Sequence, residues 1–157
     1  MKRFRVGIVG YGNLGKAVVK LLEMKRESWR AEGLDLSLTC ILDQGGGLHN
    51  ALGLDCGALI EHATHSRTLE GFTGFDRTLD FKKIIDGRLI DVLVEFTFTN
   101  KETGEPGLTH IRESLKNGIH VTTGNKGPVL VAWEELSELA RERGLLLGVS
   151  CTTGGAL

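Results

Sequence analysis

The feature that most narrows what this chain can fold into lies at its start. Phe4-Arg5-Val6-Gly7-Ile8-Val9 has the apolar density of a buried strand, and Gly10-Tyr11-Gly12-Asn13-Leu14-Gly15 follows it directly. Beyond the glycines, Leu14, Ala17, Val18, Leu21 and Leu22 recur at helical spacing, which predicts one apolar helix face. A G-x-G-x-x-G run alone is a weak signal, because turns are rich in glycine. Between a strand and a helix each glycine has a distinct role. Gly10 permits the tight turn, Gly12 lets a pyrophosphate approach the backbone, and Gly15 lets helix and strand pack closely. The first free N–H groups of the helix and the positive end of its dipole then face the phosphates. The bland alternative is a plain strand–turn–helix corner.

The rest of the chain alternates in the same way. Strands are expected at Leu36 to Leu42, at Ile90 to Phe98 with Asp91 to Glu95 as the centre, at Ile119 to Thr122 and at Leu145 to Val149. Pro106 suits a first helical turn, Leu108, Ile111 and Leu115 form a stripe, and Asn117-Gly118 stops it. Val129, Ala132, Trp133, Leu136, Leu139 and Ala140 form the next face, ending in Arg141, Arg143 and Gly144. Shorter helices are expected around Thr78 to Asp86 and near Ala58 to Ala63, whereas Gln44 to Gly74 is otherwise glycine-rich and unpatterned. Near-continuous apolar strands separated by amphipathic helices predict an α/β fold: a Rossmann-type, doubly wound, mostly parallel sheet covered on both faces. With no repeat and no linker, residues 1–157 read as a single dinucleotide-binding domain.

Charge and cysteine usage exclude several classes. Nineteen basic and 20 acidic residues give a net charge of −1, which offers no bulk attraction for nucleic acid or an anionic membrane. Charges interrupt every apolar run before about 18 residues, so no membrane-spanning helix is expected. The basic and apolar start imitates a signal peptide, but its glycines, Asn13 and Lys16 break the apolar core, so export is rejected and a cytoplasmic location expected. Cys40, Cys56 and Cys151 are an odd count without C-x-x-C spacing, which suits reduced thiols. The end, Gly144 to Leu157, is a buried-type strand and a glycine turn, an ending expected of a longer protein.

Four positions carry candidate chemistry beyond the glycine loop. Asp43 ends the second strand, where an acid accepts hydrogen bonds from the adenosine ribose diol, and it lies 28 residues beyond Gly15, more than the usual interval of about 20. No Lys or Arg occurs from Ala31 to Ser66, which leans toward NAD over NADP, although Arg67 or a distant cation could supply the missing charge; the alternative for Asp43 is a turn residue before Gly45-Gly46-Gly47. Thr97, at the carboxyl end of the third strand, is placed to border the nicotinamide, while Thr99 and Asn100 read equally as turn chemistry. Lys126, in Thr122-Thr123-Gly124-Asn125-Lys126-Gly127-Pro128, puts a cation at the same edge, where it could hold a carbonyl or alkoxide oxygen during hydride transfer. Its alternative is a solvated loop lysine. His62 and His65 with Cys56 upstream lack a further ligand motif, so no metal is expected; His110 and His120 read as helix-face and strand residues, and Cys151 lacks a histidine neighbour.

Several segments together resemble the homoserine dehydrogenase family, specifically its N-terminal nucleotide-binding domain. They are Val6 to Gly15, Asp91 to Asn100, Glu102-Thr-Gly-Glu-Pro-Gly-Leu-Thr-His-Ile111, Gly118 to Pro128 and Thr152-Thr-Gly-Gly155. The Thr-Gly-Glu-Pro segment followed by Asn-Lys-Gly-Pro is the specific part, and the likeness is loosest between about Leu48 and Gly87. The resemblance implies interconversion of L-homoserine and aspartate 4-semialdehyde with NAD or NADP, in the aspartate route to threonine and methionine. It also implies cofactor contacts at Gly10, Gly12, Asn13, Leu14 and Gly15, at Thr97 and at Lys126, with Lys126 also assisting catalysis. The family's second catalytic lysine and its homoserine-binding acids lie in a later domain. Where the family commonly has a glutamate beside a monovalent cation this chain carries Ser150, so no bound ion is expected, although carbonyls around Thr153 and Gly155 remain. The assembly stays open, a homodimer included, because family dimer contacts are expected from the later domain. Two rivals stand beside this reading: a stand-alone dinucleotide-binding or sensor module without catalysis, and another enzyme on the same fold, such as a dihydrodipicolinate-reductase-like protein.

Overall fold

The computed structural model describes residues 1–153. The two glycines that close the Thr152 to Gly155 segment, and with them the Gly155 carbonyl, lie outside the described residues. The order of elements is β1 (Lys2–Val9), α1 (Asn13–Ala31), β2 (Leu34–Asp43), β3 (Gly46–His49), α2 (Cys56–His65), α3 (Phe81–Asp86), β4 (Val92–Glu95), α4 (Gly107–Lys116), β5 (His120–Thr123), α5 (Lys126–Glu142) and β6 (Leu147–Gly148), followed by a 3-10 turn at Ser150–Thr152. Among the described residues, six strands form one sheet in the order β3-β2-β1-β4-β5-β6. β1 runs parallel to β2 and β4, and the parallel ladder continues through β5 to β6; only the edge strand β3 is antiparallel. The mostly parallel, doubly wound sheet expected from the sequence is therefore present.

Strands buried on both faces explain their continuous apolar character. On one face, Val19 and Leu22 of α1 and Leu59 of α2 join Ile8, Ile41 and Val94 in one core. On the other, Ile84 of α3, Ile111 and Leu115 of α4, and Leu136 of α5 join Leu93 and Val121. Ile111 and Leu115 are fully enclosed, and each such side chain stabilises the fold by about 2 to 3 kcal/mol. The expected stripe of α4 is the observed one, with Pro106 at the cap position and Gly107 as the first helical residue.

Two helix faces differ from expectation. In α1, Leu14 and Leu21 are exposed and Ala17 faces solvent, while Gly15, Val19 and Leu22 are buried. The cause is Gly15: lacking a Cβ, it is drawn against the backbone of Gly10, and that contact rotates the helix to bury the residues in register with the glycine. In α5, Trp133 is exposed although Leu136 and Ala140 are buried. Backbone at Ala132 is non-helical (φ −144°, ψ 26°), and this kink breaks the spacing that linked Val129 to Leu136. The unpatterned stretch after Asp43 contains β3, which a two-residue Gln44-Gly45 connection folds back onto β2 with Asp43 opposite Gly46.

A forked ion pair joins β1 to the start of β4. Arg5 Nη2 lies 2.7 Å from Asp91 Oδ1, and the Nε–H and backbone N–H of Arg5 both donate to Oδ2 at 3.0 and 2.8 Å. Hydrogen bonding from the Arg5 side chain holds the Asp91 carboxyl below its ordinary value of 3.8. A depressed folded pKa contributes stability that is present above the unfolded value and lost as pH falls through the folded one. The stability gap between the protein and Asp91→Asn is thus expected to narrow as pH drops from about 6 toward 2 in urea denaturation. A gap that stays constant over that range would rule the pair out as a source of acid sensitivity.

Candidate functional site

β1 and β4 are neighbours in the sheet, but the chain leaves them toward opposite faces, into α1 from one and α4 from the other. A crevice opens at such a switch point beyond the carboxyl ends of the strands. Two glycine contacts close its floor. Gly10 has φ +98°, and a Cβ there would lie 2.5 Å from the Phe96 carbonyl oxygen; a Cβ on Gly15 would lie 2.4 Å from the Gly10 carbonyl oxygen. The Gly10 N–H donates to Leu42 O and the Phe96 N–H to Val9 O, both at 2.8 Å, which ties the ends of three strands together.

Gly12 differs from its two neighbours in the motif. It is the N-cap of α1, with no side-chain cap and no acid in the first turn, and a Cβ added to it would meet nothing within 4 Å. The opening N–H groups of α1 therefore lack the protein carboxylate or hydroxyl that commonly serves them. A cavity of about 320 Å³ adjoins this helix start, and Gly10, Gly12, Asp43 and Thr97 all line it, together with Phe96 and Phe98.

The other expected positions do not line that cavity. Asn13 and Leu14 are exposed at the start of α1, with the Leu14 side chain reaching toward Gly124 beside the Phe96 ring. Gly15 is buried behind the loop. Lys126 is the half-buried first residue of α5. The preceding Asn125 donates from Nδ2 to Thr97 O at 3.3 Å and Phe98 O at 3.2 Å, so the lysine starts its helix beside the Thr97 loop. Neither Lys16 nor Arg67 forms part of the wall: the Lys16 ammonium donates to Arg67 O at 3.1 Å and stands over the Tyr11 ring.

Sequence reasoning missed what lies beneath this wall. Glu95 ends β4 with 0% of its surface exposed. Its Oε1 accepts from the Thr97 N–H at 3.0 Å and from the Thr97 hydroxyl, and its Oε2 accepts from the Thr123 hydroxyl at 3.1 Å. Burial pushes the carboxyl pKa up, but the His110 imidazole and the Thr97 donors outweigh that and hold it below its ordinary value. His110 Nδ1 stands 3.6 Å from Oε1, too far for a hydrogen bond but close enough to favour the carboxylate. His110, expected as a helix-face residue, also lines the cavity, and its ring lies 4.3 Å from that of Phe81. A lone glutamate closing Val92-Leu93-Val94 was the available signal, because an acid at the end of a buried strand requires partners.

The remaining candidates are dispersed. Among the described residues, no three His, Cys, Asp or Glu side chains gather to hold a metal ion, and His62 is engaged with Thr68 O at 3.0 Å. Cys40 and Cys56 are buried and Cys151 is exposed, as is Ser150 at the head of the 3-10 turn. His120 accepts the Leu146 N–H on Nδ1 at 3.0 Å. A second cavity, of about 310 Å³, lies beside the start of β2; it contains Arg30 and Asp35, which are already paired at 3.0 Å. Among the described residues no helix is long and apolar enough to cross a membrane.

Known proteins resemble this chain in sequence and fold. Residues 10–149 match the family model described as homoserine dehydrogenase, NAD binding domain. The homoserine dehydrogenase of Methanocaldococcus jannaschii is 34% identical over 150 residues, a match covering 96% of this chain and 45% of that protein. The NAD(+)-dependent homoserine dehydrogenase of Pseudomonas canavaninivorans is 30% identical over 143 residues, covering 90% and 41%. Among solved structures, a hyperthermophilic archaeal homoserine dehydrogenase in complex with NADPH superposes with a TM-score of 0.81 at 21% identity, over 96% of this chain and 44% of that one, a likeness of fold. The S. aureus homoserine dehydrogenase gives 0.68 at 26% identity, over 95% and 33%. The chain thus spans less than half the length of the curated relatives it matches.

Proposed function

The chain belongs to the homoserine dehydrogenase family as its NAD-binding domain, and from that premise we propose that it binds NAD or NADP across the crevice between β1 and β4 and serves oxidation of L-homoserine to aspartate 4-semialdehyde, or the reverse. One observation carries the reading: an uncapped helix start, a glycine with open space above it, an acid at the end of β2 and Thr97 just beyond β4 meet around one cavity. These residues fit a dinucleotide. The N–H groups near Gly12, Asn13 and Leu14 would hold the diphosphate, Asp43 the adenosine ribose, and Thr97 the nicotinamide side. When bound, the nicotinamide supplies the hydride acceptor or donor. Lys126 would place its ammonium at the substrate oxygen, where negative charge changes most. The substrate's own binding groups are assigned to the later domain of the family. Because that activity needs the whole enzyme, a dinucleotide-binding module is the reading to exclude.

Calorimetric titration of the chain with NADH and NADPH tests the first half, and nicotinamide absorbance in the presence of homoserine, on a chain carrying the later domain, tests the second. Binding without homoserine-dependent turnover in that longer chain would favour the module. NAD is expected to bind more tightly than NADP, since the lining of the cavity includes no cation near Asp43. Asp43→Ala is expected to weaken NAD by about tenfold, the worth of a lost charge-assisted hydrogen bond, and NADP by less than about twofold. Equal losses for both cofactors would remove Asp43 from ribose recognition.

A further inference from the structure

The buried polar cluster under Thr97 has a role that the binding reading alone does not assign. The β4–β5 ladder runs from Val92↔His120 to Glu95↔Thr123. One more backbone bond follows, from the Gly124 N–H to Glu95 O at 3.3 Å, and among the described residues no other joins the two departing loops. From there side chains take over. The Thr123 hydroxyl donates toward Glu95 O and Oε2, at 3.0 and 3.1 Å, and accepts the Asn125 N–H at 2.9 Å. Asn125 Nδ2 then reaches Thr97 O, Thr97 Oγ1 and Phe98 O at 3.2 to 3.3 Å, and Thr97 returns to Glu95 through its N–H and hydroxyl.

The result is a closed ring of Glu95, Thr97, Thr123 and Asn125, and Glu95 and Thr123 are completely enclosed while Asn125 is 2% exposed. The start of α4 seals its third side: a Cβ on Gly107 would lie 2.6 Å from Asn125 Nδ2 and 3.0 Å from Glu95 Oε2. Buried polar groups with every partner supplied rigidify what they join. What this ring joins is Thr97 and the residue preceding Lys126. Gly10 packs against the Phe96–Thr97 backbone, where a Cβ would lie 2.9 Å from Thr97 N, but among the described residues neither the glycine loop nor Asp43 exchanges a hydrogen bond with a member of the ring.

Resting on the dinucleotide reading above, we infer that this ring is a clamp that positions the nicotinamide end of the site, with the Thr123 hydroxyl as its linking atom, and that it leaves the ADP-ribose end independent. Thr123 and Glu95 are positioning residues, acting through Thr97 and Asn125. The test compares two ligands in one protein. Thr123→Val keeps shape and strand preference but removes the hydroxyl, and Thr123→Ser keeps the hydroxyl. Calorimetry with NADH and with ADP-ribose is expected to show Kd for NADH raised about tenfold in Thr123→Val and restored in Thr123→Ser, with Kd for ADP-ribose within about twofold of the unaltered chain in both variants. A general packing defect would weaken both ligands together, so an equal loss overturns the clamp, as does unchanged NADH affinity. Should Thr123→Val fail to fold, Asn125→Ala supplies the same comparison, because it cuts the bonds to Thr97 and Phe98 while leaving Glu95 its Thr97 and Thr123 donors. An unaltered chain that binds neither ligand would instead overturn the dinucleotide reading on which the clamp rests.

Discussion

Replacing Gly12 with alanine is expected to weaken dinucleotide binding about a hundredfold or more, roughly 2.7 kcal/mol, while lowering the melting temperature of the unliganded chain by only about 2 °C or less. Both halves of that result follow from the same geometry. Gly12 has φ −78°, which any residue adopts, and the added methyl touches nothing within 4 Å, so the fold has no reason to object. The open space above Gly12 is where a diphosphate would meet the N–H groups of α1, and a methyl group holds it away. Gly10→Ala is the contrasting control. There the methyl meets the Phe96 backbone at 2.5 Å with φ at +98°, so the expected loss is of stability, by about 1 to 3 kcal/mol or more, and binding falls with it. Calorimetric titration with thermal melting separates the two. A Gly12→Ala chain that melts normally and binds NADH as before would show that no phosphate lies over that loop.

The second large effect concerns chemistry. In an enzyme that carries the later domain of the family, Lys126→Ala is expected to lower kcat by about a hundred- to a thousandfold, equivalent to about 2.7 to 4 kcal/mol of stabilisation at the reacting oxygen. The fold should tolerate the change, because Lys126 occupies the first position of α5 and the helix cap comes from Asn125, whose Oδ1 accepts the Gly127 N–H at 3.1 Å. A cation at a helix start opposes the helix dipole. Helix stability therefore gives no reason for a lysine at this position, whereas an oxygen gaining negative charge nearby does. Steady-state kinetics with homoserine varied, together with NADH affinity measured on the same variant, decides the matter. Turnover equal to that of the unaltered enzyme would take Lys126 out of the mechanism.

Some elements could be read directly from residue order. The strand–glycine–helix unit, the α4 stripe of Leu108, Ile111 and Leu115, and the parallel alternation all appear where local spacing placed them. The helix faces of α1 and α5 could not, since each depends on one backbone event: the close approach of Gly15 to Gly10 and the kink at Ala132. β3 was hidden because Gly46 and Gly47 carry no side chain from which a strand period could be read, and it exists by pairing with β2 and bridging to Asp76.

The candidate site divides along the same line. Residue order alone singled out the glycine loop, Asp43, Thr97 and Lys126 as candidates, because each follows a strand whose end is marked by a change from apolar to polar residues. Only the tertiary structure brought Gly10, Gly12, Asp43 and Thr97 around one cavity, put His110 in its wall and closed Glu95, Thr97, Thr123 and Asn125 into a buried ring. Periodicity reports which face of an element is apolar. It carries no information on which polar side chains from different elements meet once water is excluded, and burial then makes those meetings obligatory.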